Sequence, residues 1–229
     1  MESTACFTKQ MSEATNKSLN LTSWILRVFR TRDKDTLMTL FRSLVLPHLE
    51  YSCQMWSPHL LGDIRRLESV QRSFTNRISE VGPLSYWERL KFLNLYSLER
   101  RRERYIILYT FKIILGLVPN FTNERFKIKT QLSVRGDRVC RVPAIINCAT
   151  TKTKTLVENS FAVQAPKLFN SLTAEIRNFE GTFESLKRKI DRYLSQIPDL
   201  PCTSGYQQPS ASNSIISQLM QLRAGGVFL

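Results

Sequence analysis

A chain of 229 residues with 42% hydrophobic content is long enough to bury a sizeable core. Its formal net charge of +14 and pI of about 9.9 favour polyanionic partners, nucleic acid ahead of an anionic membrane face, although a basic protein with no such partner has the same composition. The five cysteines are odd in number, form no CxxC pair and are accompanied by only two histidines, so no zinc knuckle can be assembled and a reducing intracellular compartment, nucleus or cytoplasm, is expected.

The N-terminus, MESTACFTKQMSE, lacks the basic start and apolar run of a signal peptide. From about Ser12 to Arg32 the pattern is helical, with Leu21, Trp24, Ile25, Val28 and Phe29 on one stripe and Arg27, Arg30 and Arg32 off it. Asp33 or Asp35 caps the next helix, Thr36 to Leu46, which Pro47 is expected to end by disfavouring the helical state of its predecessor. HLEYSCQMWSPHL reads as a helical turn and loop, with Tyr51 and Trp56 as bulky anchors. Asp63 to Ser79 is a third helix, with Ile64, Leu67, Val70, Phe74 and Ile78 inward and Arg65, Arg66, Arg72 and Arg77 elsewhere.

SYWERLKFLNLYSLERRRERYIILYTFKIILGLV follows, from Ser85 to Val118. It opens on a capping box, Ser85 with Glu88, turns near Asn94, and restarts at Ser97 as an N-cap. The second helix has a cationic first half, Arg100, Arg101, Arg102 and Arg104, and an apolar second half up to Gly116. The apolar stretch Tyr105 to Val118 is interrupted by Lys112 and is too short to span a bilayer, so no membrane partner is expected.

After Pro119 the pattern alternates. RFKIKTQLSVRGDRVCRVPAII suggests one or two short hairpins turning at Arg135-Gly136-Asp137. Arg125, Lys127, Lys129, Arg135, Arg138, Arg141, Lys152 and Lys154 stand against Asp137 alone, a net of +7 and half the excess of the whole chain. A helix containing Leu168, Phe169 and Leu172 comes next, and Thr182 caps a last one, with Phe183, Leu186, Ile190, Tyr193, Leu194 and Ile197 at helical spacing. The tail beyond Pro198 is rich in Pro, Ser, Gln and Gly and is expected to be disordered.

Catalytic and metal chemistry find no support. Nucleotidyl transfer needs closely set carboxylates for divalent cations, and the one close aspartate pair, Asp33 and Asp35, stands where a helix cap belongs. There is no GK[ST] loop, no GxSxG elbow and no supported Cys/His pair, so no cofactor is expected and the chain is read as not an enzyme. The arginine run keeps two readings. Glu99 and Glu103 can pair with it as a solvated helix face, or Arg100, Arg101 and Arg104 can engage phosphate.

LFRSLVLPHLEYSCQMWSP, DIRRLESVQRSFTNRI and LSYWERLKFLNLYSLERRRERYIILYTFKI resemble the region after the polymerase core of jockey-like non-LTR (LINE-class) retrotransposon reverse transcriptases. So do SFAVQAPKLFNSLTAEIRN, FESLKRKIDRYLSQIPDLPCTSGY and the tail residues Asn213-Ser214-Ile215-Ile216. Phe169 stands where the family has tryptophan, and Thr173 where it has proline. The aromatic-x-Asp-Asp motif of the family's palm and its endonuclease domain are absent from these residues.

The resemblance implies a thumb-like and C-terminal portion of a reverse transcriptase without its catalytic parts. It would grip an RNA or RNA–DNA backbone without reading sequence, with a polymerase palm or another protein surface as a further partner; the rival reading is a structural or interaction fragment with no retained activity. The fold class expected is mainly α: a bundle of about five helices, a small α+β segment with short hairpins, and a C-terminal helix. The expected domains are a flexible N-terminus 1–11, a helical thumb-like bundle 12–119, a basic α+β subdomain 120–197 and a disordered tail 198–229. The expected nucleic-acid contacts are Arg100, Arg101, Arg104, Arg125, Lys127, Lys129, Arg135, Arg138, Arg141, Lys152 and Lys154.

Overall fold

The computed structural model describes residues 8–118, 128–129, 139–140, 157–201 and 213–226. The chain is mainly helical, as the periodicity requires. The helices are α1 (Thr8–Val28), α2 (Lys34–Leu40), α3 (Leu46–Glu50), α4 (Leu61–Thr75), α5 (Tyr86–Phe92), α6 (Leu98–Ile114), α7 (Phe161–Ser171), α8 (Ala174–Arg177), α9 (Phe183–Gln196) and α10 (Ile215–Ala224). Two two-residue strands, β1 (Ile128–Lys129) and β2 (Val139–Cys140), pair antiparallel with Ile128 opposite Cys140. Of the expected α+β segment 120–197, residues 161–196 carry α7, α8 and α9, and the other residues of the expected hairpins lie outside the described residues.

The chain divides into two compact units, Met1–Arg102 with Asp199–Asn213, and Glu103–Pro198 with Ser214–Leu229. The division falls inside α6, not near residue 119 where the change in composition points.

In the first unit, α1 packs on α3 and α4 around Ile25, Leu37, Phe41, Val45, Leu49, Leu67, Val70, Phe74 and Ile78, all at most 1% exposed. Phe41 and Phe74 stack with ring centroids 4.8 Å apart, an arrangement that adds about 1 kcal/mol beyond area burial. The inward face of α4 is the one its periodicity predicts. That of α1 is not. Its buried line is Met11, Thr15, Ser18, Thr22 and Ile25, whereas Trp24 and Val28 are 47% and 54% exposed. Thr15 and Thr22 reach inward because their hydroxyls donate to Met11 O and Leu19 O, which satisfies them without leaving the helix. Thr8 to Met11, expected to be flexible, already belong to α1, and Met11 is core.

Pro47 does not end its helix. Phe41–Val45 form a π-helical turn in which Leu46 N–H donates to Phe41 O, five residues back, and α3 continues through the proline. The wider turn removes the clash that an α-helical carbonyl of Ser43 would have with the pyrrolidine ring. Asp33 accepts from Thr36 N–H, and Trp56, buried, donates its indole N–H to Tyr51 O while the Tyr51 side chain is exposed. The capping box at α5 is complete on both sides. Leu95 N–H donates to Leu90 O and Asn94 N–H to Lys91 O, with Asn94 at φ +49°, so α5 ends in a left-handed cap at the turn read from Asn94.

The second unit is built on the apolar half of α6. Phe111 packs on Phe169 of α7 with centroids 5.0 Å apart, and Tyr109 meets Phe161 edge-on at 5.5 Å. Leu186, Ile190 and Leu194 of α9 are buried, and Thr182 caps that helix as expected. Gly116, at φ +68°, closes α6 with Leu117 N–H on Lys112 O and Gly116 N–H on Ile113 O. The expectation of a disordered tail fails between Asn213 and Gly226. Ser214 caps α10, whose Ile215 and Leu219 are buried and which packs on α7. A strictly composition-based reading misses this helix, because its buried apolar positions are few.

Candidate nucleic-acid interface

The arginine run is not a solvated helix face: its side chains are buried or ion-paired within the protein. Arg100 is 0% exposed and Arg102 2%. Arg101 is paired with Glu50, and Arg104 with Asp191 in a fork whose second bond, Nη2 to Oδ2, is 2.8 Å. The helix surface rule points to pairs within α6; the actual partners lie far away in sequence, where spacing cannot point. Of the remaining expected contacts, Lys129 belongs to β1, while Arg125, Lys127, Arg135, Arg138, Arg141, Lys152 and Lys154 lie outside the described residues.

Within the first unit the start of α6 is held by a buried polar network. Asp199 accepts from Ser97 N–H and Ser97 Oγ–H, both at 2.7 Å, and from the Asn213 side-chain amide at 2.5 Å. Asn213 O accepts from Arg100 at 3.4 Å, and Ser97 Oγ accepts from Arg100 N–H. Glu68 of α4 accepts from Leu98 N–H at 2.9 Å and from the Tyr86 hydroxyl. Burial raises Glu68 to about 7 against the pull of Tyr86, Arg102 and Leu98, and it raises Glu99 to about 7, with Asp199 adding to the effect. Carboxylates at a helix N-terminus suit the helix dipole. Among the described residues no three His, Cys, Asp or Glu side chains converge as a metal site needs.

What stays open on the first unit is the outer face of α4. Arg65, Ser69, Arg72, Ser73 and Asn76 recur at steps of four, three, one and three, which puts them on one stripe. Arg65, Arg66 and Arg77 are exposed. Against this stripe the C-terminal turn of α5 lays Arg89, and together Ser69, Arg72, Ser73, Asn76 and Arg89 line an open groove of about 290 Å³. Arg89 is 4% exposed; its Nη1 donates to Asn76 Oδ1 at 2.9 Å and to Arg72 O at 3.4 Å, its guanidinium lies 5.5 Å from the Tyr86 ring centroid, and its Nε has no hydrogen-bond partner. Burial lowers the Arg89 pKa, and the neighbouring Arg72 charge lowers it further, against the opposing effect of Tyr86.

Periodicity marks the α4 arginines but not Arg89, which stands in a helix turn among Glu88, Leu90 and Lys91 and looks like one more solvated charge. The signal that could have found the groove is the alignment of Ser69, Ser73 and Asn76 with Arg65 and Arg72, a stripe without a single carboxylate. Comparison with protein-family models finds no match, and neither do comparisons with curated proteins and with solved structures. Among the described residues no helix is long and apolar enough to cross a membrane.

Proposed function

We propose that this chain is a non-catalytic helical module that binds the backbone of RNA or an RNA–DNA duplex without reading sequence, of the thumb type found beside non-LTR reverse transcriptases, and that it works inside the cell. The observation that carries the reading is the carboxylate-free stripe Arg65, Ser69, Arg72, Ser73 and Asn76 along α4 and its C-cap, flanked by exposed Arg66 and, just past the helix, exposed Arg77, in a chain of net charge +14. Phosphate contacts of this kind position a helix on a duplex and carry no base information. The basic segment Arg125–Lys154 supplies further contacts in this reading, and Arg100, Arg101 and Arg104 are withdrawn from it because they are engaged inside the protein.

The test is fluorescence anisotropy with an RNA–DNA hybrid across a salt series. Log affinity falls linearly with log salt, and Arg65→Glu, Arg66→Glu and Arg77→Glu together weaken binding and flatten that slope by roughly one for each phosphate no longer neutralised. Far-UV circular dichroism of the triple variant stays helical because all three side chains are exposed. Binding that ignores salt, or a variant with unchanged affinity, refutes the assignment.

The second reading, a protein-interaction module, is favoured by one observation. Trp24 and Val28, four residues apart on α1, face solvent. Concentration-dependent self-association abolished by Trp24→Ser, without nucleic-acid binding, supports that alternative.

A further inference from the structure

A guanidinium that is desolvated without a carboxylate partner is an expensive arrangement. Removing an ionised group from water is repaid only when an opposite charge or a full set of acceptors replaces the lost hydration. Arg100, although buried, lies within the network of acceptors around Asp199 and Asn213. Arg101 and Arg104 have Glu50 and Asp191. Arg89 differs. Its acceptors are an amide oxygen and a peptide carbonyl and its Nε has none; buried Arg102 also has an unpartnered Nε, but the charges of Glu68, Glu99 and Glu50 act on it, whereas among the described residues no carboxylate pairs with Arg89. The neighbouring charge of Arg72 is of the same sign as its own.

The surroundings match one kind of ligand. The groove presents two hydroxyls, Ser69 and Ser73, one side-chain amide, Asn76, and two guanidinium groups, with apolar side chains absent from its lining. Ser69 uses its proton on Arg66 O, which leaves its oxygen as an acceptor, and Asn76 is held by its oxygen on Arg89, which leaves its amide N–H groups for another acceptor. Donors outnumber acceptors, and the charge is positive on a concave surface of the size of one tetrahedral oxyanion with its ester substituents. A planar carboxylate would use a single guanidinium fork; a tetrahedral phosphoryl group can accept from several directions at once.

We infer that the groove between α4 and the end of α5 is a phosphate site, in which Arg89, Arg72, Ser73 and Asn76 hold one phosphodiester of the bound backbone. The inference rests on the nucleic-acid reading for the source of the phosphate, and on the groove alone for the chemistry. Arg89 serves as the buried, preformed donor: Tyr86 and Asn76 fix its plane before the ligand arrives, so little side-chain entropy is lost on binding.

The experiment follows the Arg89 Nε–H and the Asn76 side-chain amide by ¹H–¹⁵N NMR, first with inorganic phosphate and then with a short single-stranded RNA. Both ligands shift both resonances, sulfate competes with phosphate, and Ser73→Ala and Arg89→Lys each weaken phosphate binding, Arg89→Lys by about tenfold because the fork is lost. Ser73 is exposed, so Ser73→Ala keeps the test open if Arg89→Lys fails to fold. Phosphate that leaves the Arg89 and Asn76 resonances in place overturns the site. RNA that binds with its affinity unaltered by Ser73→Ala and by a folded Arg89→Lys also overturns it while the nucleic-acid reading stands. Phosphate binding at the groove with no RNA binding does the reverse, keeping the oxyanion site and removing its proposed source.

Discussion

Glu68 and Glu99 lie close to guanidinium groups and are nevertheless held near neutrality, because burial penalises their charged forms more than Arg102 and the local donors favour them. Glu99 shows the cost in its geometry: its Oε2 is buried with no hydrogen-bond partner, the natural seat of a proton. In the unfolded chain both carboxyls titrate near 4.5, and in the folded chain near 7. Between those limits the native state binds more protons than the unfolded one, so stability falls as pH rises through that window, by on the order of a few kcal/mol in all. Asp33 and Glu88 act oppositely: hydrogen bonds from the N-termini of their helices lower them, so what they contribute is present above their unfolded values and lost in acid below them. Denaturant unfolding should therefore give a higher midpoint near pH 5 than near pH 8, and Glu99→Gln should shrink the difference. An identical pH dependence in that variant would remove Glu99 from the account. Residue chemistry of this kind is invisible in sequence, where Glu99 is one acid beside four arginines.

At the scale of elements, local signals succeed where the physics is local. The Ser85–Glu88 box, the Asn94 and Gly116 left-handed caps and the Thr182 cap are each decided by two to five neighbouring residues, and the structure has all of them. Ser85→Ala should lower stability by about 1 kcal/mol, read as a lower melting temperature, with the helix content at 25 °C retained. A drop several times larger would mean that Ser85 has a role in packing beyond its cap. The failures are equally physical. Pro47 stops a helix only under a rule that concerns an α-turn, and a π-turn evades it. Hydrophobicity places Trp24 and Val28 in the core, yet α1 buries the face carrying Thr15, Ser18 and Thr22, because α3 and α4 lie on that side and the hydroxyls of Thr15 and Thr22 are satisfied within the helix.

Across the whole molecule, Asp199 and Asn213 belong with the N-terminal unit although almost a hundred residues separate Asp199 from Arg102. Asp199 is 6% exposed and takes three hydrogen bonds, two of them from the N-cap residue of α6. Asp199→Ala should cost about 2 kcal/mol by leaving the Ser97 donors and the Asn213 amide without their acceptor, and a chain ending at Pro198 should be destabilised further, since Asn213 goes with it. Equal melting temperatures for the full chain and the truncated one would show that the tail contributes nothing. Composition alone assigns this tail to disorder. Net charge, the helical class, the inward face of α4 and the caps follow from the order of residues by itself, because period, propensity and capping act over a turn or two. Which arginines are buried, that Glu50 and Asp191 answer Arg101 and Arg104, and that Arg89 faces a groove without a carboxylate are decided only by tertiary structure. The reason is that desolvation and pairing depend on neighbours distant in sequence, and a charge in the sequence has the same letter whether it meets water, a carboxylate or nothing.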